Sequence, residues 1–555
     1  MRKTGLAIAL AVFACNASGA DETLLTAARI HTLDPAAPQA QAMVWDAEGN
    51  VLAVGETDTL RKQFPQARLV DAAGRTVIPG LIDAHGHLMG LGFALMTADL
   101  TGTRSKAEII ERLRDYERQL PAGAWLTGGG WDQNDWPGKQ FPTAADLDAA
   151  FPQRPVWLDR VDGHAGWANT AAMHAAVQKS GKSLDGEWQP EGGRIERAQG
   201  KASGVFVDGA MPLIAAAIPP ADDATREKAA ARAFEAAVRH GLTGVHDMGV
   251  SREDLALYRR FADSGRLPLR IDAYADGDGN ALADLCRDGL YRHPGGRLEM
   301  RGVKLYIDGA LGSRGAAMIE DYSDDHGNRG LLVTEPKAYA AAVRKARDCN
   351  VQVATHAIGD RGNRLVLDTY SDALGAQAQG SDHRWRIEHA QIVDLRDIPR
   401  FAQLGVIASM QPTHATSDMP WAEDRVGAQR VLGAYAWQRF LHSGARLALG
   451  SDFPVESVDP RLGLYAAVTR QDRDGRPPGG WQPEQRLSAA EAVRGFTADA
   501  AYAGRDEDRI GQLRAGLRAD FVILDEDPLA VPAAALDELH VRSTWVDGKP
   551  VYEAK

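Results

Sequence analysis

The chain has 555 residues, 44% of them apolar and 25% charged, values close to globular averages that exclude wholesale disorder and fibrous repeats. Lys plus Arg is 63 and Asp plus Glu is 75, a formal net charge of −12; without concentrated positive charge, neither a nucleic acid nor a polybasic membrane contact is expected. Length predicts three to four domains of ~150 residues, or fewer where one α/β barrel absorbs ~250.

Arg2 and Lys3 precede an apolar run from Gly5 to Ala14 and a small-residue exit, Ser18-Gly19-Ala20. That order is a secretory signal, too short to span a bilayer. Residues 1–20 are expected to be removed on export, leaving a periplasmic or secreted protein with no stable membrane insertion. Val12-Phe13-Ala14-Cys15 resembles a bacterial lipobox, but bulky Phe13 fits it poorly, and cleavage after Ala20 is preferred to a lipid anchor at Cys15. Cys286 and Cys349 then remain. Export permits a disulfide between them, yet two cysteines make no framework, and two core thiols are the simplest expectation.

Residues 21–79 alternate in short apolar stretches, and the Glu48-Gly49-Asn50 turn between two of them predicts a β-hairpin. The same texture returns in residues 501–555. There Ala519–Asp525 reads as a strand, and His540–Glu553 as a strand pair joined at Asp547-Gly548. One small β domain is therefore expected from both chain ends, with residues 80–500 inserted in its middle.

Eight short apolar runs with polar ends punctuate that middle: LIDAHGH (81–87), TGVHDMG (243–249), LRIDAYA (269–275), VKLYIDG (303–309), VQVATHA (351–357), RIEHAQ (386–391), VIASMQP (406–412) and LALGSD (447–452). Between them lie helical patterns such as ATREKAAARAFEAAVRHG, which ends at Gly241. Strands alternating with helices indicate parallel βα units, and eight such units close a barrel whose active site sits at the strand C-termini. The first gap exceeds one crossover helix, so residues 105–215 are expected to be an insertion at the catalytic rim. Six of the twelve tryptophans fall there, Trp125, Trp131, Trp136, Trp157, Trp167 and Trp188. They form the insertion's own core or, for several, an aromatic wall to a substrate pocket.

In a strand, residues i and i+2 share a face, so His85-Gly86-His87 aims two imidazoles into the barrel mouth, with Gly86 leaving room between them. An HxH pair alone is weak. The reading strengthens because His356, His389 and Asp452 end the fifth, sixth and eighth runs. Such groups gathered on one rim are costly to desolvate without a cation. Imidazole with carboxylate suits Zn²⁺, with Mn²⁺, Fe²⁺ or Co²⁺ as alternatives. Lys304, flanked by Val303 and Leu305, alternates inward. It either pairs with Asp308 or Asp452, or uses a pKa lowered by burial to capture CO₂ as a carbamate that bridges two metals.

PGLIDAHGHL, VKLYIDGALGSRGAA, THAIGD, RIEHAQ and GSDFPVESVDP together resemble the amidohydrolase superfamily, specifically the amidohydrolase family 3 branch that includes N-substituted formamide deformylases. GGGWDQNDWP (128–137), VDGHAGWANT (161–170), LRAGLRADFVILDEDP (514–528) and TWVDGKPVY extend the match in family order over nearly the whole mature chain. The resemblance implies a distorted (β/α)8 TIM barrel with a flanking β-sandwich. It further implies one or two metals, His85, His87 and Asp452 holding one, His356 and His389 the other, with carboxylated Lys304 as the bridge. Asp452 then shuttles the proton from the attacking water to the leaving nitrogen.

His164, in VDGH, is a candidate for binding substrate or the oxyanion, or else ties down the insertion. Trp131 and Asp132 are candidate pocket residues, with a loop-capping role as the alternative for Asp132. Arg314, in GSRG, is either a clamp for a substrate carboxylate or half of a structural salt bridge. His246 and His414 read as satisfied polar residues near the rim. Gly128-Gly129-Gly130 lacks the Lys-Ser/Thr of a phosphate loop.

The function expected is hydrolysis of a non-peptide C–N bond in a small amide or formamide. The alternatives are a deaminase or cyclic amidase on the same scaffold, and a metal-stabilised binding or regulatory protein without turnover. The expected partner is a small-molecule substrate, and a homodimer is compatible with the sequence.

Overall fold

The computed structural model describes residues 22–161, 165–190, 193–277, 280–375, 378 and 381–555, apart from the side chains of Asn134 and Asp208. The chain divides into two compact units: one of residues 1–86 and 237–555, the other of residues 87–236.

The first unit holds eight parallel strands: β1 (Leu81–Gly86), β2 (Leu242–Val250), β3 (Arg270–Asp276), β4 (Leu298–Tyr306), β5 (Gln352–Ala357), β6 (Arg386–His389), β7 (Ile407–Met410) and β8 (Leu447–Leu449). Each predicted run is one of these strands. They pair in chain order from β1 to β8, and their side chains are almost wholly buried, as in sheets covered on both faces. The ring is nearly closed. Asp452 N–H donates to the His85 carbonyl at 2.7 Å, Ser451 Oγ donates to Asp83 Oδ2 at 2.6 Å, and Gly86 bridges to Phe453. Gly86 has a different reason from the one expected: a Cβ there would meet the Phe453 ring at 2.4 Å, so the glycine makes room for a phenylalanine rather than for two imidazoles.

Both chain ends build the β domain of this unit as two sheets. One runs Val51–Gly55, Ala42–Trp45, Thr23–Thr26, Arg68–Asp71. The other runs Lys549–Glu553, Val541–Val546, Phe521–Leu524, Thr76–Pro79, Arg29–His31, Gln39–Ala40. Both predicted turns are present, Glu48-Gly49-Asn50 between antiparallel strands and Asp547-Gly548 between another pair. Residues Asp547 and Gly548 have φ 53° and 68°, the left-handed pair that suits a two-residue hairpin. Trp45, Phe521 and Trp545 pack at the centre, Phe521 stacking on Trp545 at 5.2 Å. Residues 498–503 are a helix whose Ala500, Ala501 and Ala503 pack on Ile82, Ala84 and Ala448 of the barrel. The C-terminal part of the β domain thus starts later than residue 501.

Cys286 and Cys349 are joined in a disulfide, which corrects the expectation of two free core thiols. Cys286 lies within the helix Ala281–Asp288 and Cys349 caps the helix Pro336–Asp348. Consecutive βα units bring these helices side by side outside the barrel, a proximity that spacing in the sequence does not reveal.

The second unit, wider than the expected insertion of residues 105–215, is built on a six-stranded sheet ordered Gly193–Ala198, Lys201–Asp208, Ala165–Ala168, Val156–Arg160, Leu126–Trp131, Ala98–Asp99. Its tryptophans serve its own core. Trp131, Trp136 and Trp167 pack together in one cluster, and Trp157 in a second, against which Trp125 and Trp188 lie.

Candidate metal centre

Strand alternation and barrel closure bring side chains from β1, β4, β5, β6 and the segment after β8 to one point. On β1, His85 is fully buried. Its Nδ1 bonds Glu388 Oε2 at 2.5 Å, and its Nε2 lies 3.0 Å from Lys304 Nζ and 3.4 Å from Asp452 Oδ1. His87, the residue after Gly86, contributes with His85 and Asp452 to a group whose ligand atoms all lie within 4.8 Å of one another. The His356 ring is 4.6 Å from that of His389, which is 4.9 Å from that of His85.

His389 and Asp452 both adopt left-handed backbone, φ 72° and 63°. Non-glycine residues there are strained, and such strain gathers at functional sites. Here it falls where β6 and β8 end, so the chain turns while the side chain stays in the mouth.

Burial sets the protonation states. It pushes His85 down to about 4 and His356 to about 3, with the Lys304 charge adding to both shifts. Burial and then His356 push His389 well below the usual imidazole range. Lys304 falls to about 8 through burial, opposed by Glu388 and Asp452. Three imidazoles are thereby neutral at physiological pH, the form that ligates a metal. His414 goes the other way. Burial lowers it, but hydrogen bonds to Asp452 and Glu456 raise it to about 10.

The donor set fits a divalent cation. Among the described residues, His356 Nε2 is buried without a hydrogen-bond partner, a condition that buried polar atoms rarely sustain; Asp308 Oδ1 stands 3.7 Å away. His389 Nδ1 is engaged by Gln411 Oε1 at 2.8 Å, so its Nε2 is the nitrogen left for an ion. Imidazole with carboxylate is the ligand combination expected of Zn²⁺ and its first-row neighbours.

Other candidate residues have partners of their own or are not described. Trp131 is fully buried in the second unit's core, its Nε1 donating to the Leu158 carbonyl at 2.8 Å, which corrects its assignment as a pocket wall. Asp132 accepts from Arg160 at 2.9 Å. His164 lies outside the described residues. Arg314 is engaged by both Asp324 oxygens, at 3.0 and 2.8 Å, the salt-bridge alternative rather than a free clamp. Asp308 is not the partner of Lys304; it accepts the backbone N–H groups of Ala317, Ile358 and Gly359. His246 sits below the mouth on β2, against Arg386 Nη1 at 2.8 Å.

Sequence reasoning set His414 aside and passed over Glu388, Arg386, Gln411 and Glu456. His414 Nε2 is 3.2 Å from Asp452 Oδ2 and its Nδ1 is 3.3 Å from Glu456 Oε1, and His389, His414 and Asp452 form a second group able to hold an ion. Arg386 and Glu388 carried a readable signal: two opposite charges at i and i+2 in a strand predicted to be buried.

Comparison with known proteins agrees with this geometry. The sequence model of the amidohydrolase family matches residues 68–552. The chain is 32% identical to the putative amidohydrolase YtcJ of Bacillus subtilis, over 92% of this chain and 96% of that one. It is 29% identical to an N-substituted formamide deformylase of Arthrobacter pascens, over 96% and 98%. Its structure resembles that of a metal-dependent hydrolase from Pyrococcus horikoshii, with a TM-score of 0.78 at 29% identity, covering 92% of this chain and 99% of the other. With its TIM barrel, its cluster of metal-ligand side chains and a match over most of its length, the chain belongs to the amidohydrolase family and is a hydrolase.

Proposed function

We propose that the protein hydrolyses a carbon–nitrogen bond other than a peptide bond, in a small N-formyl or N-acyl compound. One or two divalent cations, zinc first, would be held by His85, His87, His356, His389, Lys304 and Asp452. The observation that carries this reading is the meeting of three neutral imidazoles, a lysine and a carboxylate, with His356 Nε2 making no hydrogen bond among the described residues. The choice of bond is supported by the likeness to a formamide deformylase along nearly the whole of both chains.

A cation held by these residues would supply Lewis-acid activation of the attacking water and of the scissile carbonyl. Asp452 takes the proton of the attacking water at a carboxylate oxygen and passes it to the leaving nitrogen. Charged His414, 3.2 Å from Asp452, favours the ionised carboxylate that accepts this proton. Lys304, lowered to about 8, offers a neutral-amine fraction near pH 7. Its nitrogen could add to the carbon of CO₂ and release one proton, giving a carbamate that would join the imidazoles and Asp452 in holding the cations. The reading also puts the protein outside the cytoplasm, since an N-terminal signal and the Cys286–Cys349 disulfide both suit an oxidising compartment.

Elemental analysis of purified protein, joined to a hydrolysis screen of N-formyl, N-acetyl, N-acyl-amino-acid and cyclic amide substrates, tests it. The expected result is stoichiometric transition metal and turnover of one C–N class, lost with a chelator and restored by metal. Bound metal without hydrolysis of any amide, ester or lactone would point instead to a binding or regulatory protein.

A further inference from the structure

Arg386 and Glu388 take no part in the chemistry above, yet both side chains are fully inaccessible to solvent. They lie two residues apart on β6 and so share a face. Arg386 grips both carboxylate oxygens, Nε to Oε1 at 2.5 Å and Nη2 to Oε2 at 3.0 Å. Its other contacts reach the Ala84 carbonyl on β1, Ser409 Oγ on β7, His246 Nδ1 on β2 and the Tyr274 hydroxyl on β3. A purely structural ion pair would need no more than this.

Glu388 has one further bond, to Nδ1 of His85. A carboxylate that accepts from Nδ1 fixes the tautomer with its proton there. The Nε2 lone pair is then presented on the side where Lys304 and Asp452 stand, at 3.0 and 3.4 Å. It also makes the imidazole a stronger donor to a metal. His389 is supported differently, by the neutral amide of Gln411.

We infer that Glu388, held by Arg386, is a positioning residue that sets the tautomer and donor strength of His85, so that cation affinity depends on this buried pair. The inference rests on the reading of His85 as a metal ligand.

Zn²⁺ affinity, measured by competition with a chromophoric chelator, tests it on the wild type, E388A, E388Q, the double variant R386M/E388Q and the reference H85N. Thermal melting of each metal-free protein reports folding separately. H85N is expected to lose the tight site, and E388A to bind Zn²⁺ about 10–100-fold more weakly. The glutamine oxygen still accepts the Nδ1 proton, so E388Q and R386M/E388Q recover part of that loss. The double variant removes the ion pair as a unit and decides the matter should a single variant fail to fold. Wild-type affinity in E388A beside a defective H85N overturns the inference. So does failure of both glutamine variants to exceed E388A, or of a folded double variant to retain more affinity than H85N. Undiminished affinity in H85N would overturn the metal-site reading itself.

Discussion

The two ends of the barrel strands bury charge in opposite ways. At the N-terminal end, Arg270 donates to Asp520 at 2.6 and 3.0 Å and to Asp547 at 2.6 Å, and Arg297 and Arg518 also reach Asp547. Each charge there meets its opposite, and the cluster fastens barrel to β domain. At the C-terminal end, burial and then the Lys304 charge or a neighbouring imidazole hold His85, His356 and His389 unprotonated, and among the described residues His356 Nε2 makes no hydrogen bond. Matched charge makes a joint. Mismatched donors that neighbouring residues do not satisfy make a place for an ion.

The sharpest way to break the contrast is Asp452→Asn. Loss of general acid–base work predicts a fall in kcat of about 10²–10⁴-fold, with metal content largely retained because the imidazoles remain. Steady-state kinetics beside elemental analysis checks both, and near-normal turnover removes Asp452 from its role. Removing the metal should act on stability as well. A ligand present at a thousand times its Kd stabilises by about 4 kcal/mol, so chelation should lower the melting temperature of the wild type measurably.

Asp520→Asn attacks the other end. It leaves buried Arg270 with Asp547 and the Gly296 carbonyl, and breaking a buried pair costs about 3–5 kcal/mol; the remaining partners put the expectation at the lower figure. Urea unfolding should register that loss, while metal content and kcat of the folded protein stay unchanged. A loss of metal in this variant would mean the two ends are coupled.

The mouth was more legible in the sequence than the joint. The side chains gathered there end apolar runs whose period-two pattern and order reveal the strands, so counting brings His85, His356, His389 and Asp452 to one rim. Arg270 and Asp520 are 250 residues apart, and nothing local marks them as partners. His414 escaped for a related reason. It lies in the helix Pro412–Asp418 beyond β7, and only the folded chain brings Asp452 and Glu456 to its two nitrogens. The tryptophans misled by composition: an aromatic-rich segment reads equally as a pocket or as a core, and the fold chose the core for Trp131.

Titration offers a smaller effect with opposite signs at the two ends. In the metal-free protein His85 and His356 stand at about 4 and 3, below the ordinary 6.5. The unfolded chain therefore takes up protons first. Their contribution to stability is full above ~6.5 and lost as pH falls through 4 and 3. Asp272, which lies near Gly504 and His246 below the mouth, is raised by burial to about 7 from 3.8. Its contribution is full below 3.8 and lost as pH rises through 7. Urea midpoints of metal-free wild type and Asp272→Asn from pH 4 to pH 8 separate the two, since the variant should show a smaller loss on the alkaline side, where burial also raises Asp308 and Asp83. A variant with the same alkaline slope as wild type would remove Asp272 as its source.

The smallest effect belongs to Arg314. Its guanidinium is about a third exposed and bonds both oxygens of Asp324, which Arg425 also contacts. A partly solvated pair of this kind contributes at most ~1 kcal/mol, and Asp324 keeps Arg425 when Arg314 is removed. Arg314→Ala should therefore shift the urea midpoint slightly and leave KM unchanged. A residue that clamped a substrate carboxylate would behave otherwise, because charge-assisted bidentate bonds are about twice as strong as neutral ones and their loss raises KM. Substrates with and without a carboxylate decide between the two: a rise in KM confined to the carboxylate-bearing substrate would mean that Arg314 leaves Asp324 when substrate binds, and would return this residue from the scaffold to the mouth.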